Sequence, residues 1–386
     1  MTQAGLVTDE RGLDQLTAEA EALIGVPLRR NVVRDLATAG TMHSFCKGIG
    51  NRNPLFLDQT PARSSVWGNL VAHPLYLYGV DDTYVAPGFA GYHSLYGEVD
   101  WGFSLPILEG TRIASKAAVE RVDVVETAFA GATPRQRSVV EFADSQDRTL
   151  ATARITMLRP SRAATLERGL YSALEKHRYT PDELDLVARS YDEEKIQGER
   201  PRYWDDVEVG EDLVPVVKGP LTSEDMLAFI RSIRPTRLFA DAMQDMRRHP
   251  GAFFIDPEIG MPDSWEEVWF KDKVAQSCGF PAAHETGLQR VAWVGDLLTN
   301  WCSDHGFLAR LQLRLTRPCI NADSTWSMGR VAGKRREGEK YLVDLQVWAE
   351  NQRGERTAEG VAEVLLPSRD PQSLPVPLQL GAGRDG

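Results

Sequence analysis

No stretch of the chain approaches the roughly 18 uninterrupted apolar residues that a membrane-spanning helix needs. The start, MTQAGLVTDERG, has no basic region followed by an apolar one. Together these absences give the expectation of a cytoplasmic protein with no membrane partner. Cysteine is scarce: Cys46, Cys278, Cys302 and Cys319 form no Cys-x-x-Cys pair and have no metal-type spacing to histidine. No metal site is therefore expected, and the thiols read as reduced core or near-core groups. Clustered positive charge is scarce too. At a formal net charge of −11 the longest basic run is Lys334-Arg335-Arg336, between two strand-like segments. It reads as a solvated hairpin tip and leaves no footprint for nucleic acid. No glycine-rich phosphate loop and no Gly-x-Ser-x-Gly elbow occurs, which removes the commonest nucleotide-binding and serine-hydrolase classes.

What is present is an ordinary globular composition, 42% hydrophobic and 26% charged, spread over 386 residues. That length exceeds one usual domain, so two modules and a connector are expected. An internal repeat supports the division. Residues 140–162 read VEFADSQDRTLATARITMLRPSR and residues 345–369 read LQVWAENQRGERTAEGVAEVLLPSR. Each is an alternating strand, a polar turn, a second alternating strand and then Pro-Ser-Arg, the pattern of an antiparallel hairpin. Upstream, Pro106-Ile107-Leu108-Glu109-Gly110-Thr111 matches Pro318-Cys319-Ile320-Asn321-Ala322-Asp323.

The expected divisions are a first module over 1–162, a helical connector over 163–202, a second module over 203–369 and a tail over 370–386. In the connector, Leu166, Leu170 and Leu174 recur at helical spacing. Thr180 and Pro181 then start a second helix as cap and first residue. Thr222 and Asp225 form a capping box for a helix in the second module. There, Leu288, Val291, Val294, Leu298 and Trp301 mark a helix face buried against a sheet. The matching first-module helix is expected to be shorter, over about Thr60 to Leu70. The fold class is α+β, with two antiparallel sheets, each wrapping a helix, able to join edge to edge. The tail, DPQSLPVPLQLGAGRDG, mixes proline, glycine and polar residues without a period, which predicts an extended or mobile arm.

At residues 50–58 the sequence Gly50-Asn51-Arg52-Asn53-Pro54-Leu55-Phe56-Leu57-Asp58, with Ala62, Gly68 and Ala72-His73-Pro74 following, resembles the signature of MaoC-like (R)-specific enoyl-CoA hydratases. Leu95-Tyr96-Gly97-Glu98, Leu105-Pro106 and Gly110 resemble the N-terminal FAS1-like dehydratase domain of that superfamily. The second half resembles the MaoC module at Asp206 to Gly210, Lys218 to Thr222 and Gly279 to His284. The resemblance spans nearly the whole chain and implies a tandem, or double, hotdog fold acting on acyl thioesters. Members of the family use an Asp and a His five positions apart. Here those positions hold Asn51 and Phe56, neither of which titrates, and Phe270 stands at the corresponding second-half His.

The candidate site residues follow from this reading. His284, just ahead of the second-half helix, is the expected proton carrier, and Glu285 beside it is a second catalytic candidate or else a favourable first-turn carboxylate. The N–H groups of Glu285, Thr286 and Gly287 are expected to stabilise a thioester oxygen. His93, in the glycine-rich stretch Pro87 to His93, is a further catalytic candidate or else a turn cap. Asn51, Asn53, Thr286, Gly287 and His73 are candidate substrate contacts. The alternative for Asn51, Asn53 and Asp58 is to tie their own loop together, and for His73 a structural role. Proline at 74 has no N–H to offer an oxyanion. His43, His177, His249 and His305 show no partner pattern. Trp101, Trp269, Trp293 and Trp301 read as core or as walls of an acyl tunnel.

The expected function is a hydratase or dehydratase, a hydro-lyase, working on a bulky or specialised acyl-CoA or carrier-protein substrate. No cofactor is expected beyond the CoA or pantetheine arm of that substrate. The expected partners are therefore a small acyl thioester or an acyl carrier protein, and homodimerisation is left open. Two alternatives stand beside it: cyclisation, isomerisation or thioester hydrolysis on the same scaffold, and a non-catalytic acyl-binding partner subunit.

Overall fold

The computed structural model describes residues 12–28, 30, 32, 34–234, 239–256 and 258–380. Its strands are β1 (Leu95–Phe103), β2 (Ile113–Thr127), β3 (Gly131–Asp144), β4 (Thr149–Leu158), β5 (Val216–Lys218), β6 (Phe253–Ile255), β7 (Pro262–Ser264), β8 (Phe307–Leu315), β9 (Thr325–Glu337), β10 (Lys340–Asn351) and β11 (Arg356–Leu365). The two repeated segments form the hairpins β3–β4 and β10–β11. Their turns close by the same device. Asp144 accepts the N–H groups of Gln146 and Arg148, and Asn351 accepts those of Arg353 and Glu355, each residue folding the chain onto its own side chain.

Nine strands form one sheet in the order β2-β3-β4-β1-β8-β11-β10-β9-β5. The first four and the next four are mirror lists, so β1 to β4 correspond to β8 to β11. The hairpins therefore occupy equivalent strands. The two half-sheets merge where β1 pairs antiparallel with β8, which removes one open edge from each. Arg310 grips Asp100 through two hydrogen bonds of 2.8 Å across that seam. The basic run at 334–336 lies within β9 rather than at the tip, which falls at Gly338.

Each half also carries a threonine-capped helix of 11 residues, Ala39–Ile49 behind Thr38 and Ser223–Ile233 behind Thr222, both with a capping box. These helices pack on each other, and a side chain at Gly48 would collide with Ser232. The resemblance between halves then ends. In the second half, helix Leu288–Cys302 lies against the sheet with every residue buried. In the first half the expected helix over 60–70 is absent. Gln59–Ser64 forms under two turns, and the chain enters a 3₁₀ segment at Pro74–Gly79. The run Leu75-Tyr76-Leu77-Tyr78 is wholly buried and has no polar face. Its two hydroxyls are drawn apart, Tyr76 to Thr41 at 2.8 Å and Tyr78 to the Trp101 indole at 3.1 Å. Among the described residues, only the second-half sheet wraps a long helix.

Between the halves, helix Pro181–Glu193 starts at the Thr180 cap as expected. The helix expected through Leu174 stops at Arg168, because Gly169 turns left-handed, and Leu166 and Leu170 are exposed. The tail departs from an extended or mobile arm over its described part. Residues 376–379 make one helical turn, Val376 and Gln379 are buried, and the Tyr341 N–H donates to Gln379. Residues 381–386 lie outside the described residues. No helix among the described residues is long and apolar enough to cross a membrane.

Candidate functional site

Loops from both halves enclose a cavity of about 420 Å³, a size suited to a small-molecule ligand. The first half contributes Asp82, Tyr84, His93 and Arg162. The second contributes Arg234, Trp265, Glu266, Trp269, Phe280 and the run His284-Glu285-Thr286-Gly287, with Arg290 behind it.

A short β-bridge to Ile320 and the Glu285 N–H bond to the Cys319 carbonyl, 3.0 Å, fix the chain at His284. The His284 Nδ1 lies 2.9 Å from the Glu285 carbonyl oxygen. A carbonyl only accepts, so Nδ1 carries the proton and Nε2 the lone pair. Nε2 is buried and has no hydrogen-bond partner among the described residues. Burial pushes the imidazole pKa below the usual histidine range, outweighing the opposite pull of Glu285, so the ring is neutral at physiological pH. His93 donates from Nε2 to the Cys278 carbonyl at 3.3 Å. Burial, reinforced by the Arg162 charge, holds it well below the usual range. Phe280 packs beside both rings, its centroid 5.6 Å from His93 and 4.3 Å from His284.

Glu285 is turned inward. Its carboxylate forms a fully buried ion pair with Arg290 and accepts the Gly287 N–H. Arg290 also donates to the carbonyls of Arg317 and Thr357, at 2.8 and 2.5 Å. Two of the three N–H groups expected to hold a thioester oxygen are therefore already taken, Glu285's by Cys319 and Gly287's by the Glu285 carboxylate. The Thr286 N–H has no acceptor among the described residues. The Thr286 carbonyl accepts the Tyr84 hydroxyl at 2.8 Å, and its own hydroxyl is buried without a partner. Gly287 starts the helix at φ 81°, where a Cβ would stand 2.7 Å from Leu315 and 3.1 Å from Tyr96, so no other residue fits there unstrained.

Asn51, Asn53 and His73, expected as substrate contacts, belong instead to a sealed cluster and line no part of this cavity. Asn51 donates to Asp296 at 2.8 Å, the His73 Nε2 stands 3.3 Å from the same oxygen, and the Lys218 ammonium is 3.0 Å from the other. Lys218 also donates to the Gly50 carbonyl, and Asn53 caps the turn at Leu55. Burial pushes the Asp296 carboxyl up, but Lys218, His73 and Asn51 together outweigh it and hold the group below the usual range. Phe56, where the resemblance implies a His, packs edge-on to His73 at 5.4 Å. Beside it remains an apolar pocket of only about 40 Å³.

The bridge register fixes how the two loops correspond. Val71 pairs with Leu108 as His284 pairs with Ile320, so His284 answers to Val71, and His73-Pro74 answers to Thr286-Gly287. Two residues, Glu285 and Thr286, separate His284 from the glycine that starts its helix, whereas His73 directly precedes Pro74. The sequence reading also missed Asp82, Tyr84, Arg162, Arg234, Trp265 and Glu266. Arg234 and Glu266 form a two-bond pair at 3.0 and 2.8 Å, with the guanidinium over Trp269. Asp82 is raised above the usual carboxylate range by burial and by Asp81. For Arg162 a signal existed, since it ends the first Pro-Ser-Arg. The others stand in no repeated or spaced pattern.

No protein-family model matches the chain, and no curated protein matches its sequence. Among solved structures it is similar to a MaoC-like dehydratase, with TM-score 0.61 and 14% identity over 90% of this chain and 99% of that one. It is similar to the MaoC-like dehydratase from Phytophthora capsici, with TM-score 0.52 and 13% identity over 91% and 98%. A Mycobacterium tuberculosis protein described as having a double hotdog fold gives TM-score 0.53 and 13% identity over 89% and 96%. The fold is therefore the double hotdog, as found in MaoC-like dehydratase structures.

Proposed function

We propose that this chain is an acyl-thioester hydratase or dehydratase-like enzyme and that its reaction takes place in the cavity between the two halves. One observation carries the reading: a neutral histidine, His284, lines the cavity with its Nδ1 proton committed to a backbone carbonyl and its Nε2 lone pair without a partner. Such an imidazole is prepared to take a proton from water or from a carbon beside a thioester carbonyl, and to return it. Oxygen stabilisation then falls to the Thr286 N–H, at the positive end of helix Leu288–Cys302. Glu285 orients the loop through Gly287 and Arg290 and does not move the proton. The family's Asp and His are replaced at Asn51 and Phe56, so the chemistry rests on one base and not on a pair.

The fold of the solved structures and their names as dehydratases support the reaction type, and the thioester substrate comes from the resemblance in sequence. The test is incubation of the purified chain with a panel of enoyl- and 3-hydroxyacyl-CoA thioesters, followed by mass spectrometry. Gain or loss of water on at least one member is expected. Release of free CoA instead would replace this reading with thioester hydrolysis, and no change across the panel would remove it.

A further inference from the structure

The two Pro-Ser-Arg segments end on arginines in opposite situations. Arg369, in the second half, is exposed and holds Asp206 through two hydrogen bonds of 3.0 and 2.7 Å. Arg162, in the first half, is 7% exposed and lines the cavity. Its guanidinium makes no hydrogen bond or ion pair with any described residue, and its buried Nε has no partner. Its one contact of note is the Trp265 ring, 4.4 Å below it. Nor does a neighbour neutralise it. Arg159 is buried close by, with its donors on Gln136 and on backbone carbonyls at His93, Ala86, Gly88 and Phe89, all neutral acceptors. Two buried positive charges thus stand together with no carboxylate of the described residues paired to either.

A buried guanidinium without a counter-charge is costly, and stacking on one indole offsets only part of that cost. Such a group persists where a ligand supplies the missing charge. We infer that Arg162 is the receiving group for an anionic end of the ligand, bound in the cavity with its oxygens on the guanidinium fork and its chain against Trp265. Two sources carry this chemistry, a carboxylate on the acyl chain and the phosphates of CoA. The depth of Arg162 fits a planar carboxylate, which the fork meets with two parallel bonds. Burial pushes the guanidinium down to about 10, which leaves it charged at neutral pH.

This inference rests on the thioester reading for the rest of the ligand, and binding of inert thioethers separates the two. Calorimetry would compare S-butyl and S-(3-carboxypropyl) thioethers, and longer homologues, on CoA and on pantetheine, with free dicarboxylates as a further probe. The carboxylated thioether is expected to bind about 10- to 100-fold tighter on both carriers, the usual effect of a charged hydrogen-bonded pair. Arg162→Met should abolish that preference and Arg162→Lys should retain part of it. Arg162→Met should also melt no lower than the wild type, because it removes an uncompensated charge, whereas loss of a merely structural arginine lowers the melt. A preference for CoA over pantetheine that vanishes in Arg162→Met, with no effect of the carboxylate, assigns the anion to CoA. Equal binding of all thioethers, or a preference that survives Arg162→Met, overturns the inference while leaving the thioester reading intact. Dicarboxylates that bind through Arg162 while no thioether binds would uphold the inference and remove the thioester reading.

Discussion

The same step of the hotdog plan is taken at His73-Pro74 in the first half and at Thr286-Gly287 in the second, with opposite results. In the first, the chain enters a 3₁₀ segment, Phe56 lies on His73, and Asn51, His73 and Lys218 converge on Asp296. In the second, Gly287 starts a long helix and the preceding residues open onto a cavity of about 420 Å³, against about 40 Å³ beside Phe56. One copy has turned its polar residues into packing and the other has kept an opening. Asp296 shows the dependence between them, since the second half supplies both this carboxylate and Lys218, and the first half closes Asn51 and His73 over them. A histidine in a family-like position is thus no guide to chemistry until its partners are known.

The strongest way to break this comparison is to remove the two histidines separately. His284→Ala should lower turnover by about 10²- to 10⁴-fold, the usual contribution of one acid–base group, with the fold retained. His73→Ala should leave turnover within a few-fold and lower stability. Both would be assayed on one thioester with thermal melts alongside. A dead His73→Ala with a normal melt would reverse the assignment of the halves.

Lys218→Met probes the sealed cluster from its charged side. Removing one partner of a buried ion pair leaves the Asp296 carboxylate without its main counter-charge, which should cost about 3–5 kcal/mol in chemical denaturation. Turnover per folded molecule should hardly change. If activity falls while stability holds, the cluster is working chemistry and not packing.

Much of this arrangement was legible in the sequence. The hairpins, the caps at Thr180 and Thr222 and helix Leu288–Cys302 followed from alternation, cap residues and a helical period, all local properties. The first-half helix did not, because Leu75-Tyr76-Leu77-Tyr78 has no polar face for a period to reveal. The candidate site was half legible. His284 and Gly287 stood out through their place before a helix, and His93 through its glycine-rich setting. Asp82 and Tyr84 lie near His93 in sequence, and Glu266 lies in the same half as His284, but the two sets are far apart in the chain and meet through β1–β8 pairing and the loops it brings together. The correspondence of His73 with Thr286 is set by the bridges to Leu108 and Ile320, long-range pairings that no local pattern reveals.

Acid sharpens the comparison with a smaller effect. His93 and His284 are both held below the usual histidine pKa, mainly by burial, so each is neutral in the folded chain. The unfolded chain binds protons at about pH 6.5. Their contribution is therefore complete above that value and is lost as pH falls below it toward the folded pKa. Each adds at most about 1.4 kcal/mol per pH unit to the slope. Asp296 acts in a lower window, losing its contribution only as pH falls through the carboxylate range. Denaturation midpoints from about pH 7 to about pH 5 should fall less steeply in His93→Gln and His284→Gln than in the wild type. Unchanged slopes would mean that the two rings titrate as they do in water.

The smallest expected effect belongs to Tyr84→Phe, and it tests whether the halves cooperate at the cavity. Tyr84 comes from the first half, and its hydroxyl donates to the Thr286 carbonyl at 2.8 Å, tying the loop that carries His284 to the opposite wall. Burial, with Asp82 and Glu285 nearby, raises the phenol well above its usual range, so it stays a donor at any working pH. Removing the hydroxyl leaves a carbonyl without this partner, which should cost about 0.5–1.5 kcal/mol in stability. Because the same bond positions the Thr286 peptide next to His284, kcat/KM should also fall a few-fold. No change in either quantity would show that the second half holds its loop unaided and that the two halves are independent at the cavity. A loss as large as that of His284→Ala would instead place the Tyr84 hydroxyl on the reacting group, and the first half could no longer be described as a wall.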